Sequence, residues 1–109
     1  MRLLLSAIVA LSISLFTPAM AMADGAGIFS ANCAACHAGG GNTLNPQRTL
    51  SQSDLKSFLT NYSSDHEAAI VAQVSNGKAP MPSFTGVLTP SEITEVAAYV
   101  ESQSANGWG

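Results

Sequence analysis

The chain has 109 residues, which limits it to one domain, and its formal net charge is −3. Its four basic side chains are scattered along the sequence, so no basic stripe is available to neutralise the phosphates of a nucleic acid. Nucleic acid is therefore not an expected partner. An acidic chain is instead steered toward positively charged docking surfaces, at rates that depend on salt.

The first 23 residues have the pattern of a secretory signal peptide. Arg2 supplies a positive start, residues 3–16 form an apolar run too short to span a bilayer, and small residues allow cleavage after Ala21 or Ala23. We prefer cleavage after Ala23; the alternative to a signal peptide is an uncleaved anchor. The mature domain is then residues 24–109, with three basic and seven acidic side chains and a net charge of −4. It is expected to be exported and not embedded in a membrane.

The segment Cys33-Ala34-Ala35-Cys36-His37 carries the strongest chemical signal in the chain. Two cysteines three positions apart, followed at once by a histidine, are the pattern by which haem is attached to a protein. The cysteines add to the two vinyl groups of the porphyrin, and the imidazole binds one axial face of the iron. A buried porphyrin would also enlarge the core of a mature domain that is small for its own side chains to stabilise.

Three other readings of the two cysteines compete with haem attachment. A thiol–disulfide switch normally follows a buried strand, and no Val/Ile-rich strand precedes Ile28. A zinc site needs four ligands, but the only other histidine is His66, and the chain has no third cysteine. A disulfide between Cys33 and Cys36 would close a very short loop and stabilise little.

The first helix is predicted over residues 24–36 and should end near His37, because three consecutive glycines follow at 39–41. Gly25 and Phe29 lie four residues apart and therefore on the same side of this helix. A glycine there would allow a second helix to approach closely, although it could equally mark a flexible terminus. The next segment, up to Leu50, is predicted to be irregular.

A second helix is predicted to begin at Ser51, with Asp54 completing a weaker version of the capping box. Leu55, Phe58 and Leu59 form its apolar stripe.

A third helix is predicted over residues 64–76. Asp65 and Glu67 are favourable in its first turn, and Gly77 is placed to stop it. Gln73 lies on or beside the packed face of this helix and should need a hydrogen-bond partner.

The segment Pro80-Met81-Pro82 cannot be helical. Met81 is the only methionine of the mature domain, and a thioether is a soft, neutral ligand that raises the potential of haem iron when paired with histidine. The flanking prolines would hold this loop rigid in both oxidation states. Met81 is therefore the expected second axial ligand, and His66 is the alternative, although its acidic neighbours are typical of a surface histidine.

The strongest helix start is Thr89-Pro90-Ser91-Glu92, which combines a capping hydroxyl, proline at the first position and a capping-box glutamate. This helix should end near residues 106–107. The sequence does not decide whether Trp108 is loose or packs against the domain. No segment resembles a strand. The expected fold is therefore all-α, with about four helices.

The mature sequence resembles the class I c-type cytochromes and, among them, the cytochromes c6. The haem motif alone occurs in many families, whereas the set of matching segments is more specific. These segments are Cys33-Ala-Ala-Cys-His37, Asn45-Pro-Gln-Arg-Thr-Leu50, Gln73-Val-Ser-Asn-Gly-Lys78, Met81-Pro-Ser-Phe84, Val96-Ala-Ala-Tyr-Val100 and Gly107-Trp108. The resemblance implies a small domain around one haem c, attached through Cys33 and Cys36.

The resemblance also implies roles for individual residues. His37 and Met81 would be the axial ligands, and the carbonyl of Pro46 would accept a hydrogen bond from His37. Gln73 would lie near the haem and tune its potential. Gly25 and Phe29 would pack against Tyr99 of the final helix, where the terminal helices cross.

The function implied is one-electron transport in the thylakoid lumen or the periplasm, without enzymatic activity. The donor would be the cytochrome b6f complex, through its cytochrome f, and the acceptor photosystem I or a terminal oxidase. Val87 departs from the family pattern, because an arginine associated with docking on photosystem I usually stands there. The acceptor is therefore left open. The alternatives are a haem peroxidase-like or gas-sensing domain in which Met81 does not bind iron, and a haem-free thiol–disulfide protein.

Overall fold

A computed structural model describes residues 24–109, so the predicted signal peptide lies outside the described part of the chain. Within these residues the fold is all-α, with no strand. None of the helices described is both long and apolar enough to cross a membrane. The helices are α1 (Gly25–Asn32), α2 (Ala34–His37), a 3₁₀ turn (Ala38–Gly40), α3 (Gln52–Phe58), α4 (His66–Asn76) and α5 (Pro90–Ala105).

The predicted first helix is divided into α1 and α2 at Cys33, which explains why five α-helices are present rather than about four. The φ of Cys33, −119°, is far from the ideal helical value, although its ψ of −32° is helical and its N–H still donates to the carbonyl of Phe29. Its own carbonyl then accepts from the N–H groups of Cys36 and His37, at 3.1 and 2.9 Å. The haem-attachment motif therefore forms a separate helical turn.

The starts of the next two helices depend on side-chain caps. Ser51 accepts a hydrogen bond from the N–H of Asp54 and begins α3 as predicted. Helix α4 begins two residues later than predicted, because Asp65 caps it by accepting from the N–H of Ala68. Asp65 is thus the cap rather than a residue of the first turn.

Helix α5 is the element against which α1 and α4 pack. Its predicted capping box is present, with reciprocal bonds of 3.1 and 2.9 Å between Thr89 and Glu92. A Cβ at Gly25 would lie 2.6 Å from the Glu95 carbonyl and 2.9 Å from the Cβ of Tyr99. The glycine therefore allows α1 to cross α5 in close contact, which is the arrangement that the family resemblance implies and one of the two that the sequence left open.

Trp108 is packed rather than loose. Its ring lies 5.3 Å from Phe29 and its indole N–H donates to the Leu50 carbonyl at 2.8 Å. A Cβ at Gly40 would approach this indole to 2.5 Å. The C-terminus thereby joins α1 to the loop that follows the haem-attachment motif.

A cluster of polar side chains joins the start of α4, and the residues just before it, to α5. The hydroxyl of Tyr62, which is 1% exposed, donates to the Glu101 carboxylate at 2.7 Å. Nδ1 of His66 donates to the same carboxylate at 2.8 Å, and its ring stacks on Tyr62 with centroids 4.0 Å apart. One carboxylate thus joins the residues before and at the start of α4 to α5.

We expect Tyr62→Phe to lower the free energy of unfolding by about 1 to 2 kcal/mol, because a buried hydroxyl bond to a charged group is lost. Tyr99→Phe is the matched control, since the Tyr99 ring packs against Phe29 and Trp108 and its hydroxyl takes no part in the hydrogen bonds between Tyr62 and Glu101. Denaturant unfolding of both variants measures the difference. Equal stabilities would contradict a structural role for the Tyr62 hydroxyl.

The same side chain makes stability depend on alkaline pH. Burial, followed by the hydrogen bond to Glu101, raises the pKa of Tyr62 above its ordinary value of 10.0. Above about pH 10 the unfolded chain therefore ionises while the folded chain holds the phenol neutral, and the folded state loses stability. Stability should fall less steeply above this pH in Tyr62→Phe than in the wild type.

Candidate functional site

One cavity of about 420 Å³ lies between the haem-attachment turn and the loop that carries Met81. This volume is within the roughly 300–1,000 Å³ typical of cofactor sites. Cys33, Cys36, His37 and Met81 all line it. Most of the remaining wall is apolar, including Phe29, Leu44, Leu50, Leu55, Phe58, Leu59, Ile70, Val74, Phe84, Val96 and Val100. The four predicted site residues are therefore brought to one cavity.

The two thiols differ in exposure. Cys33 is half-buried at the break between α1 and α2, whereas Cys36 is exposed. Burial raises the pKa of the Cys33 thiol above its ordinary value of 9.0. Reactive thiols of Cys-x-x-Cys redox proteins have lowered pKa values instead, so this environment does not favour the thiol–disulfide alternative.

The imidazole of His37 is oriented by the backbone that follows it. Its Nδ1 lies 2.8 Å from the Gly41 carbonyl, and since a carbonyl only accepts, the proton is on Nδ1 and the Nε2 lone pair is free for a metal. The expectation that Pro46 accepts this bond is wrong. Gly39 and Gly40, with φ of 64° and 80°, turn the chain so that the nearer Gly41 carbonyl takes that place.

The loop after His37 is held by side-chain caps. The amide oxygen of Asn42 accepts from the N–H groups of Leu44 and Asn45, and its amide nitrogen donates to the Arg48 carbonyl at 2.9 Å. The N–H of Thr43 donates to the Cys36 carbonyl at 2.8 Å. This irregular segment is therefore tied directly to the turn that carries the cysteines.

Met81 lies on a loop whose backbone closes on itself. The N–H of Met81 donates to the Lys78 carbonyl at 2.7 Å, and the N–H of Lys78 donates back to the Met81 carbonyl at 3.0 Å. The amide of Gln73, on α4, lies 3.8 Å from the Met81 sulfur. Gln73 also lines the cavity, so its predicted position beside the haem site and its need for a partner agree with the structure.

His66, the alternative axial ligand, is not among the residues that line the cavity. Its ring is occupied by the stacking contact with Tyr62 and the hydrogen bond to Glu101. The structure therefore does not bring His66 together with the other donors.

The cavity rim contains residues that the sequence pattern did not identify as part of the site. Leu44 and Phe58 line the cavity but remain 61% and 46% exposed, and the Arg48 guanidinium lies 4.7 Å from the centre of the Phe58 ring. The sequence placed Phe58 in the buried stripe of a helix. An apolar residue at helical spacing looks the same whether it faces a core or a cofactor cavity, so no signal in the pattern distinguishes these positions.

The residues of this cavity fit a covalently bound haem. Two thiols, an imidazole with Nε2 free and a thioether are donors of the correct kinds, and the apolar wall suits a porphyrin. A hydrated metal ion would require several oxygen ligands, whereas Asp54 is the one carboxylate in the wall of this cavity.

Comparison with known proteins agrees with this chemistry. A family model described as "Cytochrome C oxidase, cbb3-type, subunit III" matches residues 20–100. Cytochrome c6 of Limnospira maxima is 52% identical over 87 residues, which cover 80% of this chain and 98% of that protein. Cytochrome c6 of Nostoc sp. is 48% identical over 108 residues, covering 93% of this chain and 94% of that protein.

Solved structures show the same likeness. Cytochrome c6 from the diatom Phaeodactylum tricornutum superposes with a TM-score of 0.73 at 44% identity, covering 80% of this chain and 98% of that one. Cytochrome c6C from Synechococcus sp. PCC 7002 has a TM-score of 0.69 at 35% identity, covering 76% and 96%. The chain covers 98% of the Limnospira protein, 94% of the Nostoc protein and 98% of the diatom structure. The chain therefore belongs to the cytochrome c6 family of electron carriers that contain haem c.

Proposed function

We propose that Cys33 and Cys36 attach the haem and that His37 and Met81 are its axial ligands. The observation that carries this proposal is that all four side chains line a single, largely apolar cavity. Haem c, when bound, supplies a one-electron Fe(III)/Fe(II) couple. With both axial positions filled by the protein, no open site is left for oxygen or peroxide, which favours a carrier over an enzyme.

The chain's own residues prepare the site for electron transfer. The Gly41 carbonyl holds the His37 ring in one tautomer, and the largely apolar wall would surround the haem with few polar groups. Gln73 places an amide donor beside the Met81 sulfur. A site held in this way changes little between oxidation states, which keeps rearrangement from limiting the rate.

We further propose that the protein receives electrons from cytochrome f of the b6f complex and delivers them to photosystem I or a terminal oxidase. The proposed location is the thylakoid lumen or the periplasm, reached through the predicted signal peptide of residues 1–23. The exposed rim of the cavity, formed in part by Leu44 and Phe58, supports docking of a partner close to the haem. Arg48 and Lys78 also lie there, although the chain as a whole is acidic.

Flash-induced oxidation by isolated photosystem I, compared with oxidation by a terminal oxidase, tests the acceptor. We expect Val87→Arg to speed the photosystem I reaction severalfold at low salt and less at high salt, because Val87 is 64% exposed and a new charge there would be free to steer docking. Val87→Gln is the uncharged control. If Val87→Arg reacts no faster than Val87→Gln, this position does not select the acceptor.

A further inference from the structure

The last turn of α4 is capped by the loop that carries Met81. The final carbonyl groups of a helix have no partner within the helix and need donors from elsewhere. The Val74 carbonyl accepts from the N–H of Phe84 at 3.0 Å. The Ser75 carbonyl accepts from two hydroxyl groups, those of Ser83 and Thr85, the second at 2.8 Å. The N–H of Thr85 also donates to the Ser83 hydroxyl at 3.3 Å, which closes a small network.

This network lies immediately after Met81 in the chain. Pro80 and Pro82 have no N–H to donate, so the short loop around Met81 has only the reciprocal Lys78–Met81 pair as internal backbone bonds. The Met81 loop is therefore positioned by its two ends. One end is the turn at Gly77, and the other is the attachment of residues 83–85 to α4.

We propose that Ser83 and Thr85 are positioning residues whose hydroxyl groups hold Met81 in the haem cavity by tying its loop to the Ser75 carbonyl. The proposal rests on Met81 being an axial ligand. Opening of the loop breaks both hydroxyl bonds together with the backbone bond from Phe84 to Val74, so the hydroxyl groups lower the population of the state in which Met81 has left the iron. Because both side chains are exposed, each bond contributes modestly, and loss of the pair should raise the open population about 3- to 10-fold.

Imidazole titration of the ferric haem protein measures this population. Imidazole can bind the iron only where Met81 has left, so its apparent affinity is proportional to the open fraction. The displacement of Met81 by imidazole is measured as loss of the far-red absorption band of the Met–Fe(III) bond. The variants are Ser83→Ala combined with Thr85→Val, and the conservative Thr85→Ser. Thr94→Val is the matched control, because its hydroxyl donates to the Pro90 carbonyl at 3.0 Å on α5, outside the Met81 loop.

We expect the double variant to bind imidazole about 3- to 10-fold more tightly, and Thr85→Ser and Thr94→Val to bind it like the wild type. A double variant with wild-type affinity, or an equal shift in Thr94→Val, would overturn the proposal while leaving Met81 as a ligand. A wild-type ferric protein without the far-red band would overturn the axial assignment of Met81, and this inference with it.

Discussion

Met81→Ala should abolish the far-red absorption band of the ferric protein and lower the reduction potential by a few tenths of a volt, within the roughly 0.8 V over which axial ligands set haem potentials. The thioether stabilises Fe(II) relative to Fe(III), and water or a second nitrogen ligand in its place does so less. Met81 lines the same cavity as His37, and it is the one methionine between residues 24 and 109. Redox titration with optical spectra measures both effects.

The same variant should gain the ability to bind external ligands, because the second axial position becomes open. Carbon monoxide binding to the reduced protein is the direct measurement. Lys78→Gln is the control, since Lys78 is on the same loop and lines the cavity but offers no thioether. A Met81→Ala protein that keeps the wild-type optical spectrum and potential would show that Met81 does not bind the iron, and carbon monoxide binding by the wild-type protein would then support the peroxidase-like or gas-sensing alternative.

Gly77→Ala should destabilise the protein by about 3 kcal/mol and weaken the far-red band at the same time. Gly77 ends α4 with φ 68° and ψ 175°, a conformation that costs other residues roughly 1–3 kcal/mol. A Cβ there would lie 2.6 Å from the Ser83 nitrogen, 2.7 Å from the Pro82 carbonyl carbon and 2.8 Å from the Met81 carbonyl oxygen. These are backbone atoms, so the Met81 loop itself must move.

Gly86→Ala separates the cost of the backbone conformation from the cost of contact with the Met81 loop. Gly86 also has a positive φ, of 87°, but a Cβ there meets no atom within 4 Å. It should therefore cost only about 1 kcal/mol and leave the band unchanged. Denaturant unfolding and the optical spectrum of the two ferric variants test this. Equal losses in both would mean that contact with the Met81 loop adds nothing to the conformational cost.

Much of the local structure was predictable because short-range chemistry determines it. The capping box at Thr89, the cap at Ser51 and the stop at Gly77 each depend on residues within one helical turn, and the structure has all three. The start of α4 lies two residues later than predicted for the same kind of local reason, because the Asp65 side chain accepts the N–H of Ala68 and caps the helix there. Local rules thus place helix ends to within a few residues.

Contacts between distant residues were not predictable from spacing. The Trp108 bond to Leu50 and the Tyr62 bond to Glu101 join residues 58 and 39 positions apart, and they depend on how the chain returns on itself. The Gly41 partner of His37 is only four residues away, but it depends on the positive φ of Gly39 and Gly40, which residue spacing does not show. The sequence pattern also could not show that Phe58 faces the cavity rather than a closed core.

The amino-acid sequence by itself indicated the cofactor of this protein, because two cysteines three positions apart, followed at once by a histidine, are the attachment pattern of haem c whatever fold presents it. It also determined the helical class, since capping and periodicity act within a few residues. Only the tertiary structure decided that Cys33, Cys36, His37 and Met81 share one cavity while His66 lies elsewhere. These four side chains meet because α1 and α4 pack against α5, and packing is a property of the whole chain rather than of any segment.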